Sequence, residues 1–239
     1  MSDLQNHLLL ADQDDFAVNT ELFSKEFIRS FNQPCIIPDR SVNSDYDFLF
    51  QGADPNSSEE IKTIHGKIHV IESHPAFLRK VTDFEFLNQL STTQIATFWK
   101  ANDLRTGKSC VIKEFHSYAP SYLYLREIFS LAQAQNRFTV NFVGFTVTSP
   151  CSIIIESIQL GQRLSDLIEQ SKIGGTRLTI ISLCLAYAMK ELHRNGVILR
   201  DLNPNNIIID KDGLPKILNF SLSRLESTRM SSGIGTVNY

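Results

Sequence analysis

The chain has 239 residues, which is enough for one or two ordinary domains, since single hydrophobic cores stop growing near roughly 250 residues. Hydrophobic residues make up 42% and charged residues 21%, close to the soluble globular average, which excludes collagen, a coiled coil and a wholly disordered chain. A net charge of −3 with no basic stripe leaves binding to a phosphate backbone without electrostatic support, so nucleic acid is set aside as a partner.

Charge divides the chain. Residues 1–82 carry 13 acids and 7 bases, a net −6, whereas residues 83–239 carry 13 acids and 16 bases, a net +3. We therefore read an acidic N-terminal region over 1–82 and a second domain over 83–239. In the first region Asp3, Asp12, Asp14 and Asp15 precede the first basic residue, Lys25, the opposite of a secretory or transit peptide. Phe23, Phe27 and Phe31 recur every four residues and predict an amphipathic helix that Asn32 and Pro34 would end. Residues 39–60 have the composition of a surface loop, and Lys67 to Ile71 reads as a short strand.

From Asp83 the texture changes to short β-rich runs at Phe84 to Leu90, Ile95 to Ala101 and Cys110 to Phe115, with Thr106-Gly107-Lys108 as a turn before the third. A helix is predicted over Tyr122 to Gln135, then strands over Val140 to Val147 and Ser152 to Ile158. A second helix spans about Leu178 to His193, with Leu178, Ile181, Leu185, Ala188, Met189 and Leu192 on one stripe and Asn195-Gly196 as its stop. Its apolar stretch falls short of the roughly 20 residues a membrane helix needs. Cys35, Cys110, Cys151 and Cys184 have no Cys-x-x-Cys pair and no histidine at zinc spacing, so they read as buried free thiols. A soluble, cytoplasmic protein with no membrane partner is expected.

Chemistry concentrates after that stop, in Val197-Ile198-Leu199-Arg200-Asp201-Leu202-Asn203-Pro204-Asn205-Asn206. This run resembles the catalytic loop of protein kinases, His-Arg-Asp-Leu-Lys-Pro-x-Asn, with Leu199 replacing His and Asn203 replacing Lys. Cys110-Val111-Ile112-Lys113 resembles the third-strand Val-Ala-Ile-Lys, Arg126-Glu127-Ile128 the helix that supplies its acidic partner, and Asn219-Phe220-Ser221 the Asp-Phe-Gly element. The resemblance implies an α+β, two-lobed fold: a five-stranded antiparallel sheet with one helix, then a partial helical lobe. It also implies ATP and magnesium as cofactors and a protein as substrate or partner. Lys113 would hold the α and β phosphates, Glu127 would fix Lys113, Asp201 would accept the substrate hydroxyl proton, and Asn206 and Asn219 would face the metal. Ile153 to Ile158 resembles the fifth strand and linker, which makes Ile155 the gatekeeper and aims the backbone of Glu156 and Ile158 at an adenine edge. Leu131, Leu199 and Phe220 match apolar positions that join the lobes. His65, His69, His74, His116 and His193 have no catalytic context and read as surface or core residues.

The sequence departs from that pattern in several places. The glycines that cover the phosphates are replaced by Ser91, Thr93 and Ala96, which predicts a stiffer hairpin tip and a poorer phosphate cradle. Asn219 keeps an oxygen ligand but loses a charge. A unit charge about 4 Å from another is worth on the order of 4 kcal/mol at an effective dielectric near 20, or roughly a thousandfold in rate. Asn203 removes a further cation. Phe98 and Val111 replace smaller residues around the adenine slot, whose floor would be Ile208; either Phe98 fills the slot or it turns aside. Gly235 to Tyr239 resembles the start of the Gly-Thr-x-x-Tyr-x-Ala-Pro-Glu segment, so the expectation is a fold truncated there, with part of the Leu178 to Leu192 stripe bare. Ser227, Thr228, Ser231 and Ser232 beside Arg224 and Arg229 form a candidate phosphorylated cluster. The reading preferred is a pseudokinase with weak, largely magnesium-independent ATP binding. An active Ser/Thr kinase and a non-functional fragment are the alternatives.

Overall fold

The computed structural model describes residue 67 and residues 69–225. The predicted helix at Phe23 to Phe31, the loop at 39–60, the segment Gly235 to Tyr239 and the Ser227 to Ser232 cluster lie outside the described residues, as do Cys35 and His65. An antiparallel five-stranded sheet forms in the order β1 (Phe84–Thr92), β2 (Ala96–Asp103), β3 (Ser109–Phe115), β5 (Ser152–Glu156) and β4 (Phe142–Thr146). Period-two alternation sorts its faces. Cys110, Ile112, Ala101 and Ile154 bury together on one side, while Phe115 and Ile153 join the main core on the other. Two irregularities in β1 fall at Leu87 and Leu90, each extra to the pairing with β2. The fourth strand begins later than its sequence suggests because Val140 is already engaged elsewhere, its N–H donating to the Ile217 carbonyl at 2.9 Å.

Between β3 and β4, helix α2 (Ser121–Gln133) turns Tyr124, Leu125, Ile128, Phe129 and Leu131 into the core. The described residues of the run at 67–71 are helical rather than extended: residue 67 and residues 69–73 lie in a helix, α1. The alternation there is real, but the surface it meets is an aromatic helix face rather than an open sheet edge. Val70 is fully buried, and the rings of His69 and His74 lie 5.7 and 5.1 Å from that of Phe129. The nearby edge of β4 is taken by the residues that follow, with Leu78 bridging Phe145 in parallel and the Arg79 N–H donating to the Phe145 carbonyl at 2.9 Å. Tertiary context thus overrides a short β-prone run. Gly144 permits this approach, since a Cβ there would sit 2.4 Å from the Phe77 carbonyl oxygen and 2.5 Å from Arg79 Cγ. Arg79 then pairs with Asp103 at 2.8 Å and Asp83 at 3.3 Å, fastening the entry of β1 to the end of β2.

Burial, with a smaller contribution from His69, pulls the His74 imidazole below its ordinary value of 6.5. The unfolded chain therefore binds the proton first, and stability present above pH 6.5 is lost as pH falls below it. We expect chemical-denaturation midpoints to drop between about pH 7 and pH 5. His74→Gln should flatten that drop, and an unchanged slope in the variant would place the effect elsewhere.

The second half of the chain contributes β6 (Gln162–Arg163), α3 (Leu164–Glu169), α4 (Gly175–Arg194), β7 (Val197–Ile198), β8 (Ile207–Ile209), β9 (Pro215–Ile217) and β10 (Arg224–Leu225). Strands β6, β8 and β9 form one small sheet, β7 and β10 another. Helix α4 is wedged between two cores: Ile180, Cys184, Ala188 and Leu192 face the main one, and Ile181 meets Leu164, Leu167, Ile207 and Ile209. Most of the expected stripe is therefore covered rather than bare, although Leu178, in the first turn, is 42% exposed. Asn195 caps the helix and Gly196 follows at φ 71°, as the Asn-Gly pair predicts. Leu131, Leu199 and Phe220 all lie in the main buried cluster that spans both halves. Burial raises the Cys110 thiol to about 11 and Cys184 to about 12, which makes both poor nucleophiles, while Cys151 is only half-buried. No helix among the described residues is long and apolar enough to cross a membrane.

Candidate functional site

The sheet and α2 converge on Lys113. On β3, Lys113 shares its face with Phe115 and points at α2, where its Nζ meets Glu127 Oε2 at 2.6 Å. Both residues are buried. Phe115 lies 4.9 Å from the ammonium, and Phe98, the cross-strand partner of Lys113, lies 5.7 Å from it. Phe98 therefore sits over the lysine rather than turned aside.

Downstream, the buried Leu199 is followed by Arg200 at φ 66°, a left-handed conformation that costs of order 1–3 kcal/mol for a non-glycine residue. That turn is held by the Arg200 Nε donating to the Leu222 carbonyl at 2.7 Å. Beyond it the Asp201 carboxylate is met by three asparagine amides. Asn203 Nδ2 donates to Oδ1 at 2.9 Å, Asn206 Nδ2 to Oδ2 at 2.7 Å, and Asn219 Nδ2 approaches Oδ2 at 3.4 Å. Partner chemistry fixes these amide orientations, because a carboxylate only accepts and a backbone N–H only donates. The other end of Asn203 accepts from the Asn205 N–H at 3.0 Å, and that of Asn219 accepts from the Ser221 N–H at 3.1 Å and its Oγ–H at 2.7 Å. Magnesium demands oxygen ligands in near-octahedral geometry. With its NH₂ turned to Asp201 and its oxygen taken by Ser221, Asn219 does not fit a metal ligand in this arrangement, contrary to the oxygen-ligand role expected from sequence. Asn206 presents nitrogen, not oxygen, to Asp201.

The hairpin tip between β1 and β2 is closed on itself. Thr93 N–H donates to the Ala96 carbonyl at 2.8 Å, and Ala96 N–H donates to Thr93 Oγ1 at 3.2 Å, so two N–H groups that a phosphate would need are already used. Ser91 is exposed and pairs with Phe98 in the ladder. His116, which the sequence gives no catalytic context, clamps the tip from the end of β3. Its N–H donates to the Ile95 carbonyl at 3.0 Å, its Nε2 lies 3.0 Å from Thr97 Oγ1, and its Nδ1 lies 3.3 Å from the Gln94 carbonyl and 2.7 Å from the Tyr118 hydroxyl. A histidine that directly follows a strand aligned with the hairpin was the only signal available in the sequence.

Around the predicted adenine slot, Val111 pairs with Ile155 across β3 and β5, and both are half-buried. Ile158 and Ile208 come together over Gly161, where a Cβ would lie 2.3 Å from Ile208 Cγ2 and 2.8 Å from Ile158 Cγ2. Glu156 turns its carboxylate outward to Asn141 Nδ2 at 3.0 Å and Lys108 Nζ at 3.4 Å, while its own N–H donates to the Asn141 carbonyl at 2.9 Å. The structure thus forms three groups: Lys113 with Glu127 and Phe98, Asp201 with its asparagines, and Ile158 with Ile208.

Comparison with known proteins agrees with this architecture. A family model described as protein kinase domain matches residues 81–239. Among curated relatives, the chain is 24% identical over 162 residues to mitogen-activated protein kinase 12 of Danio rerio, an alignment covering 64% of this chain and 45% of the relative. It is 26% identical over 164 residues to serine/threonine-protein kinase PAK 1 of Mus musculus, covering 66% and 29%. A probable serine/threonine-protein kinase pkgA of Dictyostelium discoideum is 26% identical over 163 residues, covering 65% and 12%. The aligned region thus spans less than half the length of each of these relatives. Together with the five-stranded sheet, its single helix and the helical region that follows, the match establishes that the chain belongs to the protein kinase domain family.

Proposed function

We propose that this chain is a catalytically impaired kinase-fold module that binds ATP weakly and largely without magnesium, and acts by associating with a protein partner. The observation that carries this reading is the amide cage on Asp201. Where the family resemblance expects a lysine and a metal-bound aspartate, Asn203 and Asn219 present neutral N–H groups to the carboxylate. Phosphoryl transfer depends on positioning and on cations that offset developing charge, and uncharged amides supply the first without the second. The closed hairpin tip works in the same direction. The assembled Lys113–Glu127 pair supports retained contact with phosphate oxygens, which is why nucleotide binding is kept in the proposal. That same pair favours the second reading, an active Ser/Thr kinase using Lys113, Asp201 and Asn206.

Thermal-shift titration with ATP separates the two. We expect a small stabilisation that is the same with magnesium and with a chelator, and that Lys113→Met removes. A large magnesium-dependent stabilisation lost in Lys113→Met would overturn the impaired reading.

A further inference from the structure

All three polar groups of Ser221 are engaged. Its N–H and Oγ–H both donate to Asn219 Oδ1, at 3.1 and 2.7 Å, and its carbonyl accepts from Arg126 Nη2 at 2.5 Å. Arg126 directly precedes Glu127 on α2, so the residue that fixes Ser221 and the residue that fixes Lys113 are neighbours on one helix. Burial lowers the Arg126 guanidinium below its ordinary value, as expected for a cation held against backbone and away from water. A carbonyl oxygen has two lone pairs, and here both are directed at Ser221 donors. Asn219 is therefore left with only its NH₂ to offer Asp201.

The geometry points to Ser221 as a positioning residue that locks the Asn219 amide with nitrogen toward Asp201 and so withholds an oxygen from any divalent cation, the lock being tied to α2 through Arg126. The inference rests on the impaired reading, and it deepens that reading by placing part of the magnesium independence on a residue that would never itself touch metal. Glycine, the residue the family pattern has at this position, would keep the N–H and lose the hydroxyl. One of the two bonds holding the amide would then be gone.

The test compares full-length Asn219→Asp alone with Asn219→Asp combined with Ser221→Gly, Ser221→Ala or Ser221→Thr, reading the magnesium chloride concentration that half-saturates thermal stabilisation at fixed ATP. In the single variant the Ser221 hydroxyl still occupies one carboxylate oxygen. We expect the Gly and Ala combinations to half-saturate at least fivefold lower than the single variant, and the Thr combination, which restores the hydroxyl, to match it. A ratio below fivefold, or a Thr combination as responsive as Gly, overturns the proposal. If Asn219→Asp prevents folding, the contrast is read in the native background, with magnesium-dependent stabilisation present in Ser221→Gly and absent in Ser221→Thr; equal responses overturn it. A magnesium response already present in the native chain would count against the impaired reading alone, since the ratio between variants still decides the role of Ser221.

Discussion

Replacing Glu127 by Ala is expected to lower folding stability by about 3–5 kcal/mol, the cost of stranding a buried charge whose partner has been removed. The Lys113 ammonium lies 2.6 Å from Glu127 Oε2, and no second carboxylate lies within 4.0 Å of it among the described residues. The rings of Phe98 and Phe115 face the ammonium, but a ring quadrupole is worth only about 0.5–2 kcal/mol and cannot replace a carboxylate. In a chain of this size the loss corresponds to a fall of about 10 °C in Tm. Glu127→Gln, which keeps an oxygen acceptor, should lose less. The double variant Lys113→Met with Glu127→Leu should regain most of the loss, because replacing a buried pair by apolar residues of similar volume is often neutral or stabilising. A fall below about 1 kcal/mol in Glu127→Ala would mean that the pair is solvated like an ordinary surface bridge. The same variant should also lose the nucleotide-dependent stabilisation, since an unanchored lysine no longer presents a fixed cation.

The second large effect concerns transfer itself. An aspartate replaced by asparagine at 219 removes the anionic ligand that would hold a magnesium ion where the transition state gathers negative charge, worth on the order of 4 kcal/mol or roughly a thousandfold. Asn203 removes a lysine cation from the same place. Against family turnover of about 1–100 s⁻¹, the expected rate lies below about 0.1 s⁻¹ even if the remaining geometry is perfect. With the losses at 203 and 219 combined, transfer falls far enough that Asp201→Asn should leave incorporation within about tenfold of the native chain.

Much of the fold was legible because the kinase resemblance rests on order and spacing that run from Phe84 to Tyr239. Lys113 and Glu127, 14 residues apart, could be paired from the strand and helix that carry them, and they meet as expected. Four features were not legible, each for a physical reason. The run at 67–71 alternates like a strand, and only the packing of Val70, His69 and His74 against α2 decides for a helix. His116 reaches back 22 residues to Gln94, a contact that local pattern does not encode. Sequence also gives the atoms of Asn219 but not their direction, which is set by Ser221 on one side and Asp201 on the other. The covered stripe on α4 has the same kind of cause: its burial depends on two separate clusters rather than on one face.

On the proposed reading the site keeps its positioning groups but lacks the catalytic-loop lysine and the metal-holding carboxylate that make transfer fast. Incorporation of labelled γ-phosphate from ATP into the chain and into a generic protein substrate at millimolar magnesium, native chain against Asp201→Asn, decides between this reading and an active kinase. Equal incorporation is expected in the two. Magnesium-dependent incorporation by the native chain more than about tenfold above Asp201→Asn, the rate equivalent of 1.4 kcal/mol, would contradict it.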